Sequence, residues 1–216
     1  MSYLFDPAPV VCVPVEGGAE FPVNRIFCIG QNYAEHIKEM GGTDIGVEPV
    51  IFMKPPSAII LGPNVPYPPV TTDLHHEVEM VVAVGTSGVV AAGVGIDLTR
   101  RDLQSAAKKR GGPWEIGKAF DHSAVMGALR PGMPPATGPI RLSINGTRMQ
   151  DGNLDQMNRK LAELLALIGK YFVLAPGDLV FTGTPSGVGP LLPGDKVDAE
   201  IDGLPPLSFN MTDRKA

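Results

Sequence analysis

The sequence predicts an α+β fold, predominantly β, built as a rolled or sandwiched mixed sheet with a few short helices. Three observations predict it. The 26 glycines and 22 prolines are spread between short β-branched runs instead of filling one tract, which is the pattern of many strands joined by tight turns. "SINGTR" sets Asn-Gly between alternating residues, a strong hairpin signal. The few helical patterns do not alternate regularly with strands, which argues against a doubly wound sheet and for a largely antiparallel one.

In chain order, residues 1–22 read as an extended N-terminal arm or small subdomain, and 23–216 as the main domain. "RIFCIG" (25–30) is a short buried strand. "QNYAEHIKEMGG" (31–42) is a short helix stopped by its two glycines. "VIFMKP" (50–55) is a strand ended by proline. "EVEMVVAVG" (77–85) is a strand whose partner is "AAGVGIDLT" (91–99). "TRRDLQSAAKKRGG" (99–112) is a helix with Thr99 as N-cap and Gly111-Gly112 as its stop. Residues 140–152 form the Asn-Gly hairpin. Leu154, Met157, Leu161, Leu164, Leu165 and Ile168 fall on one stripe of a helix over 154–172. "DLVFTGTPSGVGP" (178–190) is a buried strand running into a glycine-rich loop, and two closing strands follow.

The composition excludes several function classes. A formal charge of −5 gives no basic footprint for nucleic acid or an anionic membrane. No apolar run approaches the roughly 20 residues of a membrane span. The N-terminus has no basic segment of signal-peptide type. Cys12 and Cys28 make neither a disulfide framework nor a metal-binding pair. A cytoplasmic setting is the expectation.

The chemistry concentrates in acidic positions. Glu77 and Glu79, two apart on a strand, point to one face. Like charges that close repel unless a cation lies between them. If 77–85 and 91–97 pair as a hairpin, Asp97 returns beside Glu77. Three carboxylates with further positions open are what Mg²⁺ or Mn²⁺ needs; the alternative is a solvated outer face. His75 and His76 have no third zinc ligand at suitable spacing, so one is a partner of the site's ligands or both lie at the surface. His36 and Glu39, three apart on a helix, can form a dyad in which the carboxylate fixes the imidazole tautomer and the other nitrogen takes a proton from water; they also fit an ordinary polar helix face, as does Glu35 beside Lys38. Arg101 and Gln104 lie one helical turn apart just after Asp97. Lys118 sits in the apolar stretch "WEIGKAF", where an unpaired lysine is costly. Thr184 lies in a glycine-rich loop that permits close backbone approach to a ligand but lacks the P-loop signature. A solvated Arg, a snorkelling Lys and a turn Thr are the plain alternatives.

"CIGQNYAEHIKEM", "FMKP", "HHEVEMVVAVG", "GIDLTRRDLQ", "PWEIGKAFD", "INGTRMQDG" and "PGDLVFTGTPSGVGP" occur in that order and cover nearly all of 24–211. Together they resemble the fumarylacetoacetate hydrolase family in its acylpyruvate hydrolase branch. "MSYLFDP", "DLHHE" and "KAFDHSA" look most like the fumarylpyruvate hydrolases of that branch, which serve the gentisate pathway of aromatic catabolism. The resemblance implies a mostly β roll as catalytic domain over 23–216, usually homodimeric, with Mg²⁺ or Mn²⁺ held by Glu77, Glu79 and Asp97. It also implies a His36–Glu39 dyad, substrate contacts from Arg101, Gln104, Lys118 and Thr184, and a diketo acid substrate. Carbon–carbon hydrolysis of acylpyruvates is the implied reaction, with oxaloacetate decarboxylation or dienoate isomerisation and decarboxylation as alternatives at the same site. Two departures stand out. Gln31 replaces a residue that is usually basic and bears on how a substrate carboxylate is held. The connection after Gly85 is also shorter than in most relatives; either it is truncated, or residues there are missing from the numbering, and the intact flanking motifs favour the second.

Overall fold

The structure is a computed structural model that describes residues 3–42 and 48–214. Met1 and Ser2 of the expected N-terminal arm lie outside the described residues. Two sheets carry the fold. The larger has seven strands in the order Val50–Lys54, Arg25–Gly30, Asp178–Phe181, Val78–Gly85, Gly88–Asp97, Ala124–Pro131 and Ile59–Ile60. The smaller has five: Thr147–Asn153, Pro139–Ile144, Lys196–Ile201, Leu207–Thr212 and Asn64–Pro66. A short three-stranded sheet sets Leu74–His76 between Thr99–Arg100 and Gly189–Leu191.

The pairing is mixed. Asp178–Phe181 runs parallel to Arg25–Gly30, Ile59–Ile60 to Ala124–Pro131, and Asn64–Pro66 to Leu207–Thr212. Most pairs are antiparallel, as the turn-rich sequence predicts, and these three make the sheet mixed, as the rolled mixed-sheet fold class requires. Parallel partners must be joined by long connections, and residue alternation carries no signal for them.

Burial explains the apolar runs. One face of the large sheet, with Phe27, Met80, Val82, Val94 and Val180, packs against Leu142, Val197 and Phe209 of the five-stranded sheet. Its other face, with Ile26, Cys28, Val81, Ala83, Leu179 and Phe181, is covered in part by Val13 and Phe21. Those two residues belong to the small hairpin Cys12–Pro14 and Glu20–Pro22. A sheet buried on both faces needs continuous hydrophobic strands such as "VVAV".

The hairpin that returns Asp97 forms as expected. Val78 pairs with Ile96 and Glu79 with Gly95, and the Asp97 N–H donates to the Glu77 carbonyl at 2.9 Å. The chain runs unbroken from Gly85 to Gly88, which pair across a turn of Thr86 and Ser87. The short connection is thus a closed hairpin turn.

Three helical expectations are revised. The first helix covers Ala34–Glu39 only. The helix after Asp97 covers Arg101–Arg110 and ends at Gly111 in the left-handed region (φ 65°), as its glycines require, but its N-cap is Arg100. Thr99 instead lies in a strand, with its hydroxyl turned to the site. The stripe over 154–172 splits into a 3-10 turn, Leu154–Gln156, and a helix, Leu161–Gly169. Residues between them are drawn away from helical pairing: Tyr33 bridges Met157, and the N–H groups of Asn158 and Arg159 donate to Asn32. The stripe still packs on the core, with Leu154, Met157, Leu164 and Ile168 buried.

Candidate active site

Glu77, Glu79 and Asp97 meet at one end of the hairpin, all buried, with one carboxylate oxygen from each within 4.8 Å of the others. Strand alternation aims the two glutamates together, and the hairpin register returns Asp97 to them. Three buried carboxylates this close are stable only with cations around them. Arg101 Nη2 lies 2.5 Å from Glu77 Oε1. Lys118 Nζ lies 2.7 Å from both Glu77 Oε2 and Asp97 Oδ2, and it donates to Thr99 Oγ1 at 2.6 Å. Lys54 Nζ lies 2.9 Å from Asp97 Oδ1 and also donates to the Lys118 carbonyl. Lys54 is fully buried at the end of the strand Val50–Lys54, so the solvated or snorkelling alternatives do not describe the cations of this cluster.

The electrostatics separate the two glutamates. Burial would raise the Glu77 carboxyl, but Lys118 and Arg101 outweigh it and hold it well below the usual range. Glu79 is pushed up by burial and by the charges of Asp97 and Glu77, which outweigh the Gly183 N–H (2.6 Å to Oε2) and the Lys118 charge pulling against them. Burial would lower Lys118, yet Asp97 and Glu77 hold it above its ordinary value.

The donor set fits a hard divalent cation. All three ligands are carboxylates, and Asp97 Oδ1 accepts no hydrogen bond although it is buried. Its contact with Lys54 is an ion pair by distance, not a directed hydrogen bond. Glu77, Glu79 and Asp97 can hold Mg²⁺ or Mn²⁺.

His36 and Glu39 lie on the short helix Ala34–Glu39, with His36 Nδ1 3.1 Å from Glu39 Oε2. Glu39 Oε1 accepts the Gly187 N–H at 2.9 Å, so both carboxylate oxygens are fixed. Burial would raise the Glu39 carboxyl, but its hydrogen bonds to His36 and Gly187 hold it below the usual range. Glu35, on the outer side, pairs with Lys38 at 2.7 Å. His36, Gln31, Arg101, Gln104, Lys118 and Thr184 line one cleft with the three carboxylates. Of the residues the resemblance assigns to the site, all lie on that cleft except Glu39, which stands behind His36.

The paired histidines lie one layer out. His75 Nε2 is 2.8 Å from Asp73 Oδ1, and its Nδ1 accepts from Arg101 Nε at 3.3 Å. His76 Nδ1 is 3.0 Å from Gln150 Oε1. Burial depresses both imidazoles, which favours their neutral forms. The Gln150 amide nitrogen in turn donates to Thr184 Oγ1 at 2.8 Å.

Sequence reasoning assigned no part in the site to Lys54, Gln150, Gly183 or Gly187, and read Thr99 only as a helix cap. Lys54 alone left a trace, as a lysine closing the apolar run "VIFM" before a proline. The others become visible only through tertiary pairing.

The chain matches the family described as fumarylacetoacetate (FAA) hydrolase C-terminal over residues 25–212. It is 40% identical over 200 residues to the oxaloacetate tautomerase of Escherichia coli K12, covering 85% of this chain and 91% of that one. A fumarylpyruvate hydrolase of a Ralstonia species is 35% identical over 174 residues, covering 74% and 91%. Among solved structures, the fumarylpyruvate hydrolase of Pseudomonas aeruginosa in complex with Mn²⁺ and pyruvate superposes with a TM-score of 0.95 at 38% identity, covering 98% of this chain and 99% of that chain.

Proposed function

The chain belongs to the fumarylacetoacetate hydrolase family and is a hydrolase acting on carbon–carbon bonds, and from that premise we propose that it cleaves 2,4-diketo acids, with 3-fumarylpyruvate giving fumarate and pyruvate. The observation that carries this reading is the His36–Glu39 dyad on the same cleft as the buried triad. A water-activating pair is what hydrolysis needs and simple decarboxylation does not.

A divalent cation on Glu77, Glu79 and Asp97 supplies Lewis-acid polarisation of the 2-oxo acid end of the substrate. The chain's own residues do the rest. Glu39 accepts a hydrogen bond from His36 Nδ1–H and so leaves Nε2 as the base. Nε2 takes a proton from water, whose oxygen adds to the C4 carbonyl. The C3–C4 bond then breaks, its electron pair leaves with the pyruvate enolate, and the proton held by His36 returns to C3. Lys118 sets a buried cation where the enolate charge develops. Arg101, Gln104 and Thr184 orient the substrate, and Gln31 lines its path. A cytoplasmic homodimer is part of the proposal.

The test is H36A and E39Q. Hydrolysis of fumarylpyruvate should fall by about 10²–10⁴-fold in H36A, with Mn²⁺ binding by calorimetry retained. Full activity in H36A would remove the dyad from the mechanism. The similarity to an oxaloacetate tautomerase supports a second reading, oxaloacetate as substrate of the same site. Parallel assays of fumarylpyruvate, acetylpyruvate and oxaloacetate with Mg²⁺ or Mn²⁺ decide between them.

A further inference from the structure

Three cations line the cleft: Arg101, Lys118 and Lys108. The first two are taken up by Glu77 and Asp97. Lys108 has no carboxylate partner among the described residues; its ammonium rests over the Trp114 ring, 5.0 Å from the centroid. Trp114 is half-buried and is itself held against Phe52, with ring centroids 5.8 Å apart, so the platform under Lys108 is fixed. Lys108 lies one helical turn beyond Gln104 and two beyond Arg101, on the helix face that meets the cleft. Lys108 is exposed as a whole residue, while partial desolvation of its ammonium and the charges of Arg101 and Lys118 destabilise its charged form against the pull of Glu77. Gln31, on the same cleft, is neutral and offers no charge in its place.

We infer that Lys108 is the residue that binds a second, distal carboxylate of the substrate and so selects diketo acids whose acyl group ends in an acid. The inference rests on the acylpyruvate reading above and adds to it the substrate class. The triad and Lys118 serve the 2-oxo acid end, which every acylpyruvate has. A cation held on an aromatic ring farther along the wall, free of protein carboxylates, distinguishes fumarylpyruvate from acetylpyruvate.

The experiment measures kcat/KM for both substrates with Mn²⁺ in the wild type, K108M, K108R and K109M. The ratio of the two values in one preparation is insensitive to the active fraction. K108M should lower the ratio of fumarylpyruvate to acetylpyruvate by about tenfold through a raised KM, as expected for a lost charged hydrogen bond. K108R should restore most of it. K109M, at an exposed position on the same helix that does not line the cleft, should keep the wild-type ratio. An unchanged ratio in K108M, with both substrates cleaved by the wild type, overturns the role of Lys108 alone. A wild type that cleaves neither substrate overturns the acylpyruvate reading, and this inference with it.

Discussion

Lys54 and Lys118 hold Asp97 from its two oxygens, and both lysines are buried. Removing one partner of a buried pair leaves an uncompensated charge, so Lys54→Met should destabilise the metal-free protein by about 3–5 kcal/mol in urea unfolding. Equal stability in the variant would show that Lys54 is not needed to balance Asp97. Glu39 gives a pH test. Its folded carboxyl lies below the ordinary 4.5, so it contributes stability that is present above pH 4.5 and is lost as the pH falls through the folded value. E39Q should therefore show a shallower acid limb than the wild type when unfolding free energy is followed downward from pH 5. The triad was legible because period-two alternation and one hairpin suffice to assemble it. Lys54 was not, because the register that brings it beside Asp97 runs through three intervening strands.

The hairpin Val78–Gly85 and Gly88–Asp97 and the helix Arg101–Arg110 were readable because each has local punctuation: β-branched runs, a tight turn, a glycine stop. The stripe over 154–172 was read as one helix because its periodicity continues through the break. What breaks it is Asn32, a buried residue from a distant loop whose side chain and carbonyl collect the N–H groups of Asn158 and Arg159. The loop after Phe181 acts on the site through its backbone. Gly187 has φ 93°, a Cβ there would overlap the Met149 carbonyl, and its N–H holds Glu39. G187A should cost about 1–3 kcal/mol of stability and displace that N–H. We expect hydrolysis to fall more than cation affinity does. Parallel losses of both would mean that the loop supports the whole site and not Glu39 in particular.

Across the whole molecule, a ligand that binds only the folded state adds to its stability. Mn²⁺ at about one hundred times its Kd should raise the unfolding free energy by about 2.7 kcal/mol, and Tm by about 5–10 °C for a chain of this size. E79Q should abolish most of that shift, and a wild-type Tm indifferent to Mn²⁺ and Mg²⁺ would exclude the triad as a cation site. The cluster that makes this test clean also sets an order of preference among ligands. Counted formally, Glu77, Glu79 and Asp97 are opposed one for one by Lys54, Lys118 and Arg101. The protein alone is close to electroneutral there, so it can fold without a metal, while a bound divalent ion leaves a surplus of two positive charges. An anionic substrate cancels that surplus. Cation and substrate anion therefore recruit each other: pyruvate should tighten Mn²⁺ by the same factor that Mn²⁺ tightens pyruvate, an equality that two titrations can check.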